Sequence, residues 1–286
     1  MDKGKIIGQN CPKAKGREMF EEFLRVAVTA AKTAGNIQRE KLGRIGFREK
    51  GWADLVTEAD TASQEAIFRI LRESFPTHAL LGEEPGEGLL SEEACGTASP
   101  SGNPYTWIVD PLDGTTNFVH GVPLFGPSIA LARGNELLCG VIFNPMSEEL
   151  YTATQGGGAF LNGEKLAVSG VTDLEHALAS VSFPTKTEAD SPDFLTFLVM
   201  LAETQAIRRI GSTALNLAFL AAGRFDVLSC QSAHAWDVAA GVLLVQEAGG
   251  VVTGPGGRSF DLATPGVLAA ATDALHDELL EAIAGA

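Results

Sequence analysis

The stretch Trp107-Ile108-Val109-Asp110-Pro111-Leu112-Asp113-Gly114-Thr115 opens as an apolar run of buried-strand character and closes on two carboxylates and a glycine. Pro111 fixes its own φ and disfavours helical geometry at Asp110, while Gly114 permits a sharp backbone turn. The spacing therefore predicts a tight turn at a strand end, with two acids converging instead of spreading along a helix. Two readings compete for it: an Asx turn that caps the strand, or a pair of hard oxygen ligands suited to Mg²⁺ or Mn²⁺. For this stretch in isolation the turn is the better reading.

Working outward, short apolar runs at 79–81, 107–109, 127–132, 137–143 and 149–154 read as strands of an antiparallel sheet, the middle two joined through Arg133-Gly134-Asn135. Gly156-Gly157-Gly158 and Asn162-Gly163 extend the hairpins to about Val168. Upstream, residues from Glu18 to about Leu42 show helical periodicity, and a second helix is expected after Asp60, ending at Pro76. Downstream the pattern changes. Strands at 179–183, 206–210, 225–228, 251–253 and 267–271 alternate with helices near 192–203, 213–222, 237–248 and 273–284. The class is α/β with layered helices and sheets. Residues 1–16 read as a mobile lead-in, and 17–286 as a single domain of two halves that meet near residues 168 and 169.

Lys and Arg number 21 against 36 Asp and Glu, a formal charge of −15. That balance speaks against a nucleic-acid surface, and it repels an anionic substrate unless bound cations invert the local field. Cys11, Cys95, Cys139 and Cys230 have no zinc-site spacing. The sequence shows neither an apolar leader nor a run long enough to span a bilayer, so a cytoplasmic location without membrane partners is expected. Walker A, Gly-x-Gly-x-x-Gly and Gly-x-Ser-x-Gly motifs are absent, and the five histidines read as structural or solvent-facing.

Acids recur where regular elements begin or end. Asp54, Glu58 and Asp60 precede a helix, with Thr57 or Asp60 a natural cap; Glu83-Glu84 follows a strand; Asp237 opens a helix as an expected N-cap, followed by the small residues Ala239-Ala240-Gly241, which would let something approach the backbone closely. Phosphate ester hydrolysis concentrates charge on the attacking and leaving oxygens, which two metals ~3.5–4 Å apart can clamp. Glu83, Asp110, Asp113, Asp237 and the Leu112 carbonyl would hold such metals, and Thr115 would orient the attacking water. A helix starting at Gly114 or Thr115 would present free N–H groups to the phosphate, and Gly211-Ser212-Thr213 offers a second anion cradle.

In order and spacing, Asp54-Leu55-Val56-Thr57-x-x-Asp60, Gly82-Glu83-Glu84, Trp107 through His120 and Trp236-Asp237-x-Ala239-Ala240-Gly241 with Glu247-Ala248-Gly249-Gly250 resemble the inositol monophosphatase family. The resemblance implies the sugar-phosphatase fold, hydrolysis of a phosphate monoester with two or three Mg²⁺ (Mn²⁺ as a substitute), Li⁺ sensitivity and a homodimer. It assigns metal ligation to Glu83, Asp110, Leu112, Asp113 and Asp237, and water activation to Thr115 with Glu83, supported by Asp60. It assigns substrate contact to Asp113, Gly114, Thr115, Gly211, Ser212, Thr213 and Asp237, with Cys230 at a further substrate-contact position. Inositol-specific members carry a glutamate seven residues before the Asp237 position, where this chain has Cys230; Lys50 is also one residue nearer Asp54 than the family's basic residue. The expected substrate is inositol 1-phosphate, with fructose 1,6-bisphosphate, histidinol phosphate or a 3′,5′-bisphosphonucleotide as alternatives. A regulatory binding protein on the same fold is the alternative of another class.

Overall fold

The computed structural model describes residues 12–44, 47–51, 54–95, 102–184 and 186–285. The chain runs through α1 (Pro12–Lys41), a hairpin of β1 (Phe47–Gly51) and β2 (Asp54–Thr57), α2 (Glu58–Ser74), β3 (Ala79–Gly82), β4 (Tyr105–Asp113), the short α3 (Thr115–His120), and the strands β5 (Gly126–Arg133), β6 (Glu136–Asn144), β7 (Glu149–Thr154), β8 (Gly158–Leu161) and β9 (Glu164–Lys165). The second half holds β10 (Leu178–Val181), α4 (Pro192–Glu203), β11 (Ala206–Arg208), α5 (Thr213–Ala221), β12 (Val227–Cys230), α6 (Ala235–Glu247), β13 (Val251–Thr253), β14 (Val267–Ala270) and α7 (Asp273–Ala284).

Alternation along β4 shows how the layers stack. Trp107 and Val109 face α1 and α2, packing with Phe23, Ala27, Ile67 and Leu71, whereas Ile108 faces the opposite way, into a core built with α5 and α6. The seven-stranded sheet β3 to β9, in sequence order, thus has helices on both faces. A five-stranded sheet of order β11-β10-β12-β14-β13 lies beyond α5 and α6, and its other face packs on α4 and α7 through Val181, Met200, Val227, Leu268, Leu275 and Leu279. The result is five alternating layers of helix and sheet.

Several expectations change. The first sheet is mixed: β3 pairs parallel to β4, because the long 83–104 connection returns the chain so that β4 runs in the direction of β3, and the remaining pairs are antiparallel. Helix α1 begins at Pro12, six residues before the expected Glu18; residues 1–11 of the expected lead-in lie outside the described set. The β1–β2 hairpin was not anticipated, because Phe47 to Thr57 carries no clear period-two apolar pattern. Lys50 lies on β1, and its side chain is outside the description. The small residues of α6 serve packing: a Cβ on Gly241 would lie 2.4 Å from Leu217 Cβ, so it is α5 that approaches there.

Candidate active site

The stretch around Asp110 is a bulged strand end. β4 continues to Asp113, and the register with β5 slips between Asp110, opposite Ser128, and Asp113, opposite Gly126. The turn comes one residue later, at Gly114 with φ of 90°, where a Cβ would also lie 2.9 Å from the Leu124 carbonyl. Leu112 N–H donates to Asp110 Oδ1 at 2.9 Å, which is the Asx turn of the structural reading. Both readings hold at once: one carboxylate oxygen secures the backbone, and the charge faces its neighbours. Helix α3 then starts at Thr115, so its first N–H groups have no intrahelical acceptor.

Four acids crowd this point. Asp110 and Asp113 are 3% and 8% exposed. Burial, then the charges of Glu83, Asp113 and Asp237, push the Asp110 carboxyl well above the ordinary range. Asp113 is pushed up to about 6 by burial against the pull of its hydrogen bonds. Burial, with Asp113 and Glu83 adding to it, takes Asp237 to about 7. Glu83 belongs also to a second grouping, in which oxygens of Asp60, Glu83 and Glu84 lie within 4.8 Å of one another. A set of hard, mutually repelling oxygens is what a small divalent cation fits.

The surrounding bonds hold the acids in place. Asp60 Oδ2 accepts from Thr57 N–H at 2.8 Å and Thr57 Oγ1 at 2.6 Å in the capping box of α2, so the cap reading holds for both residues. Its other oxygen accepts from Thr115 Oγ1 at 3.0 Å, and the Leu112 carbonyl lies 3.1 Å from the same hydroxyl. Gln64 grips the backbone of Glu84 at both ends, Nε2 to its carbonyl at 2.7 Å and Oε1 from its N–H at 3.0 Å, which fixes the Glu83-Glu84 corner. Gln38, fully buried in α1, donates to the Pro111 carbonyl at 2.7 Å. The motifs do not point to either glutamine, and their only sequence signal is a polar residue on an otherwise apolar helix face.

Gly211-Ser212-Thr213 does form an anion cradle, but its anion is internal. Ser212 Oγ and the N–H groups of Thr213 (3.2 Å) and Ala214 (2.8 Å) all donate to the Asp113 carboxylate. The N-terminus of α5 therefore anchors Asp113, joining the two halves of the chain at the site. Asp237 is the third residue of α6 and not its cap; the helix starts at Ala235, and Asp237 Oδ2 reaches back to accept from His234 N–H at 2.9 Å. His234 is less peripheral than expected, since its ring stacks on Trp236 at 4.7 Å and its Nδ1 meets Glu92 at 2.9 Å.

Beside the acids opens a cavity of about 380 Å³ lined by Asn117, Ser182, Phe183, Arg209, Gly211, Thr213, Cys230, His234 and Asp237, among others. Cys230 ends β12 and is 2% exposed, its thiol pushed well up by burial and by Asp237, Asp193 and Asp113. It presents a neutral wall. Asp193 does not replace a lost carboxylate there, because it accepts from Gln231 N–H at 2.9 Å and from Ser232 Oγ.

The model of the inositol monophosphatase family matches residues 19–286. Inositol monophosphatase 3 of Solanum lycopersicum is 43% identical over 268 residues, covering 92% of this chain and 97% of that protein. Nus factor SuhB of Pseudomonas aeruginosa is 43% identical over 242 residues, 82% of this chain and 86% of that one. The crystal structure of the extragenic suppressor protein SuhB from Bartonella henselae superposes with a TM-score of 0.82 at 35% identity, covering 92% of this chain and 98% of that one. With the buried acids and their capped threonine in place, these matches establish that the chain belongs to the inositol monophosphatase family, metal-dependent phosphoric monoester hydrolases of phosphorylated sugars and polyols.

Proposed function

We propose that the chain hydrolyses a small polyol or sugar phosphate monoester, foremost inositol 1-phosphate, by attack of a water molecule in the presence of Mg²⁺. The observation that carries this reading is the Thr115 hydroxyl, set 3.0 Å from Asp60 and 3.1 Å from the Leu112 carbonyl beside four crowded acids. Glu83, Asp110, Asp113, Asp237 and the Leu112 carbonyl would hold the cations. When bound, these supply charge neutralisation on the phosphoryl oxygens and a lower pKa for the attacking water. Thr115 has one hydroxyl hydrogen, which Asp60 or Leu112 takes, so its lone pairs remain to accept from that water and aim it. The first N–H groups of α3 would receive phosphate oxygens, and Thr213 and Gly211, which line the cavity, would contact the alcohol.

The same reading takes residues 17–286 as one catalytic domain working as a Li⁺-sensitive homodimer in the cytoplasm. The single-domain part is supported by a core that draws on both halves, packing Ile108 and Ala130 with Leu215, Leu228 and Val238; no described helix is long and apolar enough to cross a membrane. The test is phosphate release with Mg²⁺ from inositol 1-phosphate, fructose 1,6-bisphosphate, histidinol phosphate and a 3′,5′-bisphosphonucleotide. Failure on all four would refute it.

Crowded acids also tie stability to pH. Asp113 and Asp237 are raised in the folded state to about 6 and about 7, above their unfolded values. Stability from them is full below the unfolded pKa of about 4 and is lost as pH rises through those folded values. Cation binding needs the ionised carboxylates, so its stabilising effect has the opposite slope. Calorimetry from about pH 5 to about pH 8 should show Tm falling in chelator, with the gap between Mg²⁺ and chelator widening. A gap that does not change with pH would contradict the cluster as the cation site.

A further inference from the structure

Two buried glutamines reach from the helical layer into the backbone that carries the acids. Gln38 continues the apolar face of α1 beyond Ala27, Ala31 and Ala34 and is fully buried. Its Nε2 donates to the Pro111 carbonyl at 2.7 Å, while its Oε1 meets no donor. The Leu112 N–H, at the other end of the same peptide unit, donates to Asp110 Oδ1, so that peptide is held at both ends. Gln64 lies one turn after Asp60 on α2 and is also buried. It accepts from the Glu84 N–H at 3.0 Å and donates to the Glu84 carbonyl at 2.7 Å. Because the Glu83 N–H donates to the Val109 carbonyl at 3.2 Å, the backbone on both sides of Glu83 is fixed. The approach is close: a Cβ on Gly82 would lie 2.5 Å from Gln64 Oε1.

We propose that Gln38 and Gln64 are positioning residues that set the affinity of the site for divalent cations, by holding the Leu112 and Glu83 segments in one geometry before a cation arrives. The inference rests on the reading of Glu83, Asp110, Leu112, Asp113 and Asp237 as the cation ligands. Packing does not explain Gln38: an apolar side chain would fit that face of α1, and a buried oxygen without a donor is destabilising. What the amide supplies is its hold on Pro111. Like charges push the ligand segments apart when no cation lies between them, and a frame that resists this leaves less ordering to be done on binding. Both holds act from one layer, because α1 and α2 share a core through Phe23, Ala27, Ile67 and Leu71. Losing a group that orients a metal ligand typically lowers metal affinity by about 10–100-fold.

The test measures Mn²⁺ binding to the intact, metal-free protein by titration calorimetry, with Tm recorded in chelator. Gln38→Met and Gln64→Met keep the length of the side chain and remove its hydrogen bonds. Each should weaken Mn²⁺ binding by about tenfold or more, and raise the KM for Mg²⁺ in phosphate release by a larger factor than it lowers kcat. Their effects on Tm should differ. Gln64→Met lowers it, because both backbone groups of Glu84 lose a partner, whereas Gln38→Met leaves it nearly unchanged, because an unpaired oxygen is removed together with the bond. A merely structural glutamine would change affinity only in step with Tm. Mn²⁺ affinity unmoved in Gln38→Met would overturn the proposal and leave the phosphatase reading intact, and this variant decides the matter even if Gln64→Met does not fold. If the wild-type protein bound no Mn²⁺, the reading of the acids as a cation site would itself fall, and the positioning role with it.

Discussion

Asp110→Asn is expected to lower kcat/KM by about three orders of magnitude while leaving the fold in place, and to raise the Tm of the metal-free protein by about 2–4 °C. Both effects follow from one carboxylate. Its Oδ1 accepts the Leu112 N–H at 2.9 Å, and an asparagine oxygen can keep that bond and with it the bulge that places Asp113 and the Leu112 carbonyl. What the amide removes is a buried charge that Glu83, Asp113 and Asp237 all oppose. Without cations that removal relieves repulsion; with them it deletes a ligand, and the activity loss is worth several kcal/mol of transition-state stabilisation. Opposite signs for activity and apo stability separate this from general damage, which lowers both. Steady-state kinetics and calorimetry on the same preparation read the two. Activity within tenfold of wild type would remove Asp110 from the catalytic centre.

The sequence is most informative where chemistry is local. The apolar run Trp107-Ile108-Val109, the proline and the glycine lie within eight residues, and strand and turn follow from them alone, whereas the bulge that carries β4 on to Asp113 does not. The acids of the cluster are legible for a related reason: each lies within a few residues of an element's start or end, and their spacing resembles one family. Less legible are bonds that span the chain. Ser212 and the Ala214 N–H hold Asp113 from about a hundred residues away, Gln38 reaches the Pro111 carbonyl from α1, and His234 meets Glu92. No local pattern encodes which of many polar residues will meet after folding. The Gly211-Ser212-Thr213 segment shows this most clearly, since a helix start is readable as an anion cradle but the identity of its anion is not. The parallel pairing of β3 escaped for a related reason: strand direction is set by a connection of some twenty residues, and a four-residue strand carries no sign of it.

Thr115→Val is expected to cost about 10²–10⁴ in kcat, the range for losing a positioned group that handles the proton of the attacking water. Valine has nearly the shape of threonine, so the start of α3 keeps its packing and the loss reports on the hydroxyl. The KM for Mg²⁺ should change much less than in Asp110→Asn, because the Leu112 carbonyl and the four acids all remain. Thr115→Ser keeps the hydroxyl and should recover most of the rate. Stability falls in Thr115→Val, because Asp60 Oδ1 loses a donor at a fully buried site, a cost of about 1–3 kcal/mol. The carboxyl of Asp60 is already raised by burial, with Thr57 and Thr115 among the bonds that hold it down, so losing Thr115 should raise it further. If the acidic limb of the wild-type profile reports the ionised Asp60 that accepts from the Thr115 hydroxyl, that limb should be lost in Thr115→Val, which has no hydroxyl, and kept in Thr115→Ser. Were kcat to fall with that limb unmoved, Thr115 would act on the water without Asp60; were kcat within tenfold of wild type, the hydroxyl would not aim the water at all.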